Sequence, residues 1–162
     1  MSTFDSDAYR WRETYFVLFE AARQPKMQDV EQTLKRLSDR FELTEQSESE
    51  SGHFESLTLL APDDYAALDI TYLSGEDVLM QGEALVKDLE ESGADVEEQA
   101  KIRRLAKCDA RLDIMHFEQV VELDGDPETD DMLDPSALLV VMQSLVKLTG
   151  GIGVDPQSGV FL

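Results

Sequence analysis

The sequence has few of the features that mark secreted, disulfide-linked or membrane-spanning proteins. Cys108 is the only cysteine, so no disulfide can form within the chain, and a reducing compartment is expected. Residues 1–12 carry charged side chains and no apolar segment typical of a secretory signal. The longest apolar run, residues 137–142, is far shorter than the roughly 18 residues of a membrane-spanning helix. We therefore expect a cytoplasmic protein that makes no membrane contact.

Basic residues are also scarce, and this shortage limits the classes of partner. The chain has 14 Lys and Arg against 35 Asp and Glu, a formal net charge of −21, and its bases are spread along the sequence. Such a chain repels phosphate backbones, so we expect no direct nucleic-acid binding. Three explanations of the acidity remain: adaptation of the surface to its solvent, a docking surface for a basic protein, and mimicry of a nucleic-acid backbone.

Catalytic and cofactor motifs are missing as well. The two histidines, His53 and His116, have no cysteine or second histidine at zinc-ligand spacing. Cys108 lies near the end of a predicted helix, where a buried structural thiol is expected rather than a nucleophile. The glycines of residues 150–153 follow a helix, so they predict a helix stop and not a phosphate-binding loop. We expect no cofactor, and this pattern favours a protein that is not an enzyme.

The segments that are present predict an α+β fold. Apolar and β-branched runs predict strands over residues 14–19, 54–61, 67–73 and 111–119, with a last strand or hairpin over 152–162. Apolar residues three and four apart predict helices over residues 27–41, 78–89, 96–105 and 136–148. The first seven segments read β-α-β-β-α-α-β, the order of a ferredoxin-like antiparallel sheet with a doubled second helix. A helix and a strand are added at the C-terminus.

No repeat or linker divides the chain into separate units. A length of 162 residues suits one domain, and we predict a single α+β domain over residues 1–162. Two acidic loops are expected within it, over residues 44–53 and 124–134, because acids there are mixed with polar and turn-forming residues.

Two aspartates occupy the middle of predicted strands, where carboxylates are disfavoured. Asp69 and Asp113 each lie between a Leu and an Ile, in matching Leu-Asp-Ile segments. If Leu and Ile face the helices, both aspartates lie on the other face, which is solvated, covered in a dimer, or a shared acid site. A ferredoxin-like order would place strand one between them. His116 is the third candidate, as a general base paired with an acid, although a structural role explains a lone histidine better.

One acidic run resembles the opening of a calcium-binding loop. Its oxygen ligands would come from alternate positions, namely Asp124, Asp126, Glu128 and Asp130. Thr129 stands where an EF-hand loop needs glycine, and Pro135 stands where it needs a bidentate glutamate. These four acids are therefore candidate ligands for an adventitious divalent cation, and an EF-hand is not predicted.

The charge and the missing motifs lead to one functional hypothesis with two alternatives. The leading hypothesis is a non-enzymatic acidic domain that binds another protein, with a basic partner as the natural choice. The first alternative is a metal-binding or hydrolytic enzyme that uses Asp69, Asp113 and His116. The second is an accessory domain whose acidity is only an adaptation to its solvent. Because antiparallel sheets often leave one face bare, we also expect a homodimer that covers it.

Overall fold

A computed structural model describes residues 8–91, 93, 95–120 and 134–162 of the chain, which form seven strands and four α-helices. The strands are β1 (Tyr9–Phe19), β2 (Glu42–Glu48), β3 (Phe54–Ala61), β4 (Ala66–Ser74), β5 (Ala110–Gln119), β6 (Ile152–Asp155) and β7 (Val160–Phe161). The helices are α1 (Met27–Leu37), α2 (Glu76–Glu91), α3 (Val96–Leu105) and α4 (Ser136–Thr149). None of these helices is both long enough and apolar enough to cross a membrane.

All the described strands belong to one sheet, in the order β2-β3-β4-β5-β1-β6-β7. Every neighbouring pair is antiparallel. The predicted α+β class is confirmed, but a ferredoxin-like topology is not, and the sheet is larger than that fold. The expectation that strand one would separate the two aspartates is wrong, because β4 and β5 are hydrogen-bonded neighbours.

Part of the acidic loop predicted over residues 44–53 is in fact an edge strand. Residues Glu42–Glu48 form β2 and pair with β3, so the turn is confined to the residues that join them. An edge strand needs only one partner for its backbone groups, and exposed polar side chains are compatible with that position. Because β2 has no continuous apolar face, its sequence lacks the alternation by which a half-buried strand is recognised.

Helices cover both faces of the sheet. On one face, α1 and α4 pack on Val17, Ile70 and Leu112, which are fully buried. On the other face, α2 and α3 pack on Leu18 and on β6. Adjacent residues of β1 are therefore buried on opposite sides, which explains why this strand is apolar without alternation. We call the two sides the α1/α4 face and the α2/α3 face.

Two carboxylates hold the start of α4. The carboxylate of Asp134 accepts the backbone N–H of Ser136 at 2.8 Å, and the carboxylate of Asp64 accepts that of Ala137 at 3.0 Å. They satisfy N–H groups that have no partner within the helix. The helix ends at Gly150, which adopts a left-handed conformation with a φ of 65° and so confirms the predicted stop.

Candidate functional site: the open part of the sheet

The helices α2 and α3 cover only part of their face. The hydrophobic cluster beneath them includes side chains of β1 and β6 and, among the described residues, none of β3 or β4. Part of this face is covered by no described helix and carries mainly polar side chains, three of them half-buried, one buried and one exposed, and we call it the open face. It consists of Glu45, Thr58, Asp69, Thr71 and Met115.

The register of the strands aligns three residues of the open face in a row. Thr58 lies opposite Asp69 on the neighbouring strand, and Asp69 lies opposite Met115 on the next. The hydroxyl of Thr58 donates to the Glu45 carboxylate at 3.1 Å. Glu45 reaches across because β2 is irregular at this point, where Glu45 itself has a positive φ of 52°. Two carboxylates therefore flank one hydroxyl across three strands.

Asp69 is a half-buried carboxylate without a counter-ion. Burial raises its pKa, and the negative charge of Glu45 raises it further. Among the described residues no side chain or backbone group forms a hydrogen bond or ion pair with the Asp69 carboxylate. A charged group that is partly removed from water and left unpaired destabilises the folded chain. The open face thus carries a carboxylate that no described residue neutralises.

Asp113 lies on the same sheet face, but its surroundings differ. The guanidinium of Arg111 donates from Nε to the Asp113 carboxylate at 2.6 Å and lies 4.3 Å from the centre of the Phe16 ring. It also binds Gln81 of α2. Burial raises the pKa of Asp113, and Arg111 opposes that rise. Asp113 therefore holds the arginine that joins the sheet to α2.

The two aspartates are close but do not form a matched acid pair. Asp69 lies opposite Met115, and Thr71 lies opposite Asp113, so the aspartates are diagonal neighbours. Such neighbours are about 7–8 Å apart. One carboxylate has an arginine partner and the other has none. Shared acid chemistry between Asp69 and Asp113 stays a hypothesis, and their unequal partners do not favour it.

His116 is on the opposite side of the sheet from both aspartates. Its side chain is 1% exposed on the α1/α4 face, and Nδ1 lies 2.9 Å from a carboxylate oxygen of Glu13. Glu13 also hydrogen-bonds the hydroxyl of Tyr15, whose pKa is raised to about 12 chiefly by burial. Nε2 of His116 has no hydrogen-bond partner among the described residues. Because the ring is buried on the opposite face of the sheet, His116 is not positioned to act with Asp69 or Asp113.

The structure offers little to the metal hypothesis. The described ranges of the chain contain no group of three or more His, Cys, Asp or Glu residues placed to hold a metal ion. The proposed cation ligands lie outside those ranges, namely Asp124, Asp126, Glu128 and Asp130. Their role therefore stays a prediction from the sequence.

A feature of the sequence that could have located the open face is the distribution of its bases. Residues 41–86, which include β2, β3 and β4, contain no Lys or Arg. The acids in this range are Glu42, Glu45, Glu48, Glu50, Glu55, Asp63, Asp64, Asp69, Glu76, Asp77 and Glu83. One end of the sheet is therefore built from a segment without a positive side chain. The net charge of the chain does not reveal this local separation of acidic from basic residues.

Comparison with known proteins identifies no relative. No known protein family, curated protein or solved structure matches this chain. The functional interpretation therefore depends on the geometry and electrostatics of the open face.

Proposed function

We propose that the chain is a non-enzymatic binding domain whose open face receives a Lys- or Arg-rich segment of a partner protein. The observation that carries this proposal is the unpaired carboxylate of Asp69, half-buried beside Glu45 at the base-free end of the sheet. A cationic side chain from a partner would supply the counter-charge that the described residues do not provide.

The energetics favour a cation at this position. A positive charge about 4 Å from a carboxylate near a protein surface is attracted by roughly 4 kcal/mol before desolvation is counted. Asp69 is already partly desolvated in the free protein, so a partner removes less water from it than from an exposed acid. The thioether of Met115 can pack against the aliphatic part of a Lys or Arg side chain.

The charge of the whole chain supports the same class of partner. A net charge of −21 attracts cationic proteins over a distance and accelerates their association at low ionic strength. Salt screens this attraction, with a Debye length of about 8 Å at physiological ionic strength. Binding to a basic partner should therefore weaken as salt is added.

A second copy of the chain is the alternative occupant of the open face. In a two-fold symmetric dimer the same patch meets itself, so the Glu45–Asp69 side of one copy would face the same acids of the other. Like charges at an interface are unfavourable, especially at low salt. The homodimer therefore stays a prediction that this charge pattern does not favour, and sedimentation at low and high salt would detect it.

The test uses a Lys/Arg-rich peptide and a counterpart in which Gln replaces each base. Binding is measured by fluorescence anisotropy and mapped by amide chemical shifts. The double variant Glu45→Gln/Asp69→Asn should bind the basic peptide about tenfold more weakly. The matched control is Glu83→Gln/Glu90→Gln on the exposed surface of α2, which removes the same charge and should weaken binding by less than about twofold.

Three outcomes would contradict the proposal. Equal weakening by both double variants would mean that the peptide responds only to overall charge. Shifts induced by Mg²⁺ or Ca²⁺ at Asp69 and Asp113, without any induced by the peptide, would favour the metal-binding alternative. A chain that binds no basic peptide and unfolds when salt is removed would favour adaptation to the solvent.

A further inference from the structure

The fold brings Arg23 next to two bases, Arg104 and Lys107, that lie about 80 residues further along the chain. Arg23, Arg104 and Lys107 line one cavity of about 240 Å³. Residues 101–107 alone hold four of the 14 bases of the chain, so the expectation that the bases are spread out is wrong at this point. The cavity lies beside β1 and the end of α4, away from the open face on β3 and β4.

Three chain segments meet to form this basic cavity. A short 3₁₀ turn, Ala21–Arg23, follows β1 and places Arg23. The backbone N–H of Ala21 donates to the Asp109 carboxylate at 2.8 Å, which fixes the turn against the start of β5. Arg104 is in the last turn of α3, and Lys107 lies just beyond it. The positions of the bases are therefore set by ordered backbone.

Gly150 allows two of the bases to approach. Arg104 donates from Nη2 to the carbonyl oxygen of Gly150 at 2.7 Å. The guanidinium of Arg23 occupies the space that a Cβ at position 150 would take, and the positive φ of Gly150 also favours glycine. Among the described residues, neither Arg23 nor Lys107 has a side-chain hydrogen bond or ion pair.

The remainder of the lining leaves the cavity positive. Cys108 donates its thiol hydrogen to the Arg104 carbonyl at 3.3 Å, and burial raises its pKa to about 11. The thiol is therefore neutral at physiological pH and adds no negative charge. Among the described residues, Glu20 is the one acid of the lining, at an exposed position, and the Asp109 carboxylate beside Cys108 is bound to the backbone N–H of Ala21. Three cations thus outnumber the nearby carboxylates in a protein that has a large excess of acids.

We propose that this basic cavity binds the phosphate group of a small phosphorylated molecule. Guanidinium groups bind phosphate oxygens through paired N–H donors, and the lysine adds a point charge. The cavity is smaller than the roughly 300–1,000 Å³ pockets that enclose drug-sized ligands, so it suits a phosphate with a short substituent.

Stabilisation of helix ends is a competing explanation for these bases. Cations near a helix C-terminus are favourable, and the bond from Arg104 to Gly150 serves that purpose at the end of α4. That bond uses one of the five N–H donors of Arg104. The side chains of Arg23 and Lys107 donate to no helix carbonyl among the described residues, so their N–H donors remain open to a ligand even where their charges favour the helix ends.

The test is a titration of the ¹⁵N-labelled protein with inorganic phosphate and with phenyl phosphate, at constant ionic strength set by chloride. Amide shifts should be localised around Gly150 and Cys108. Arg23→Gln and Lys107→Gln should each weaken binding about tenfold, and Glu20→Gln should strengthen it severalfold, because the last change removes a repulsive charge. Tighter binding of phenyl phosphate than of inorganic phosphate would indicate an ester as the ligand, and the reverse order free phosphate.

Arg103→Gln is the matched control for these variants. Arg103 is exposed on the same helix and directs its Nε to the Gln99 carbonyl, and it does not line the cavity. Its replacement should change the affinity by less than about twofold. The proposal is overturned if Arg103→Gln weakens binding as much as Lys107→Gln does, if Glu20→Gln has no effect, or if the wild-type shifts are not localised. Amide spectra of each variant show whether it folds. If Arg23→Gln does not fold, Lys107→Gln, a change at an exposed position, still tests the proposal.

Discussion

Replacement of Asp69 by Asn should stabilise the protein while it weakens the binding of a basic partner. Asp69 is half-buried, has no counter-ion among the described residues, and lies beside the negative charge of Glu45. Asn has nearly the same shape and remains polar, but it carries no charge to desolvate. The substitution therefore separates the cost of the charge from the packing of the strand.

The raised pKa of Asp69 gives the direction of this effect, and the size of charge effects at partly exposed sites limits its magnitude. Each unit by which the folded state raises a carboxyl pKa above its unfolded value costs about 1.4 kcal/mol when the group is ionised. Water reaches part of this side chain, so the effective cost is smaller, and we expect Asp69→Asn to gain about 0.5–1 kcal/mol at pH 7. For a chain of this size that corresponds to about 1–4 °C in Tm.

The raised pKa of Asp69 also predicts how the stability difference between wild type and Asp69→Asn changes with pH. A carboxyl whose pKa is raised in the folded state stabilises the fold while it is protonated, and this contribution is lost as the pH rises through the folded-state pKa. Wild type and Asp69→Asn should therefore be equally stable below the ordinary pKa of aspartate and diverge above it, with the variant more stable. Carboxyl ¹³C chemical shifts would report the titration of Asp69 directly.

Urea unfolding at several pH values, followed by circular dichroism, measures this difference. The control is Glu83→Gln, an exposed change on α2 that removes one charge and reports the general relief of self-repulsion in a highly acidic chain. The reasoning fails if Asp69→Asn destabilises the protein at every pH, or if its gain does not exceed that of the control. The first result would mean that Asp69 makes a stabilising contact in solution, and the second that its charge costs no more than that of an exposed acid.

Two further sets of substitutions test the packing. Gly151→Ala should destabilise the fold by about 1–3 kcal/mol in urea unfolding, because its Cβ would lie 2.5 Å from the Leu18 carbonyl oxygen. Gly82→Ala in α2 is its counterpart, because the new Cβ would lie in ordinary contact with the carbonyl oxygens of Leu105 and Cys108, at 3.7 and 3.9 Å. The same assay should show a gain of about 0.5–1 kcal/mol. Equal effects of the two changes would contradict this packing. Arg111→Gln should raise the pKa of Asp113 further in a carboxyl ¹³C titration, because the arginine is what lowers it, and an unchanged titration would refute the ion pair.

Local patterns in the sequence were enough to predict most of the helices and strands. The stop at Gly150, for example, follows from the adjacent glycines that come directly after the helix. The order of the strands does not follow from local patterns, because it depends on which distant segments pair. The edge strand β2 was missed because most of its side chains are exposed, with Leu43 alone among its apolar residues packed against the core, and its backbone pairing is not visible in the sequence.

In the candidate site, too, local sequence patterns do not predict what depends on tertiary packing. Asp69 and Asp113 have matching neighbours in the sequence, and their place on a common sheet face could be deduced from the Leu and Ile beside them. What distinguishes them is Arg111, which α2 and the Phe16 ring hold against Asp113 but not against Asp69. That difference depends on the helix covering only part of the face, a property of tertiary packing.

The charged residues behind the net charge of −21 are therefore distributed unevenly over the folded chain, and this distribution bears on function. Among the described residues, Asp69 on the open face has no basic partner, although Arg10 and Arg40 pair with Glu118 and Asp63. The basic cavity is lined by three bases and the acid Glu20, although acids outnumber bases across the chain. In each place the uncompensated charge makes the folded protein less stable than a fully paired arrangement would, and a bound ligand of opposite charge would recover that stability. A basic segment at the open face and a phosphate group in the cavity should each raise Tm, and their effects should add, since the two sites share no residues.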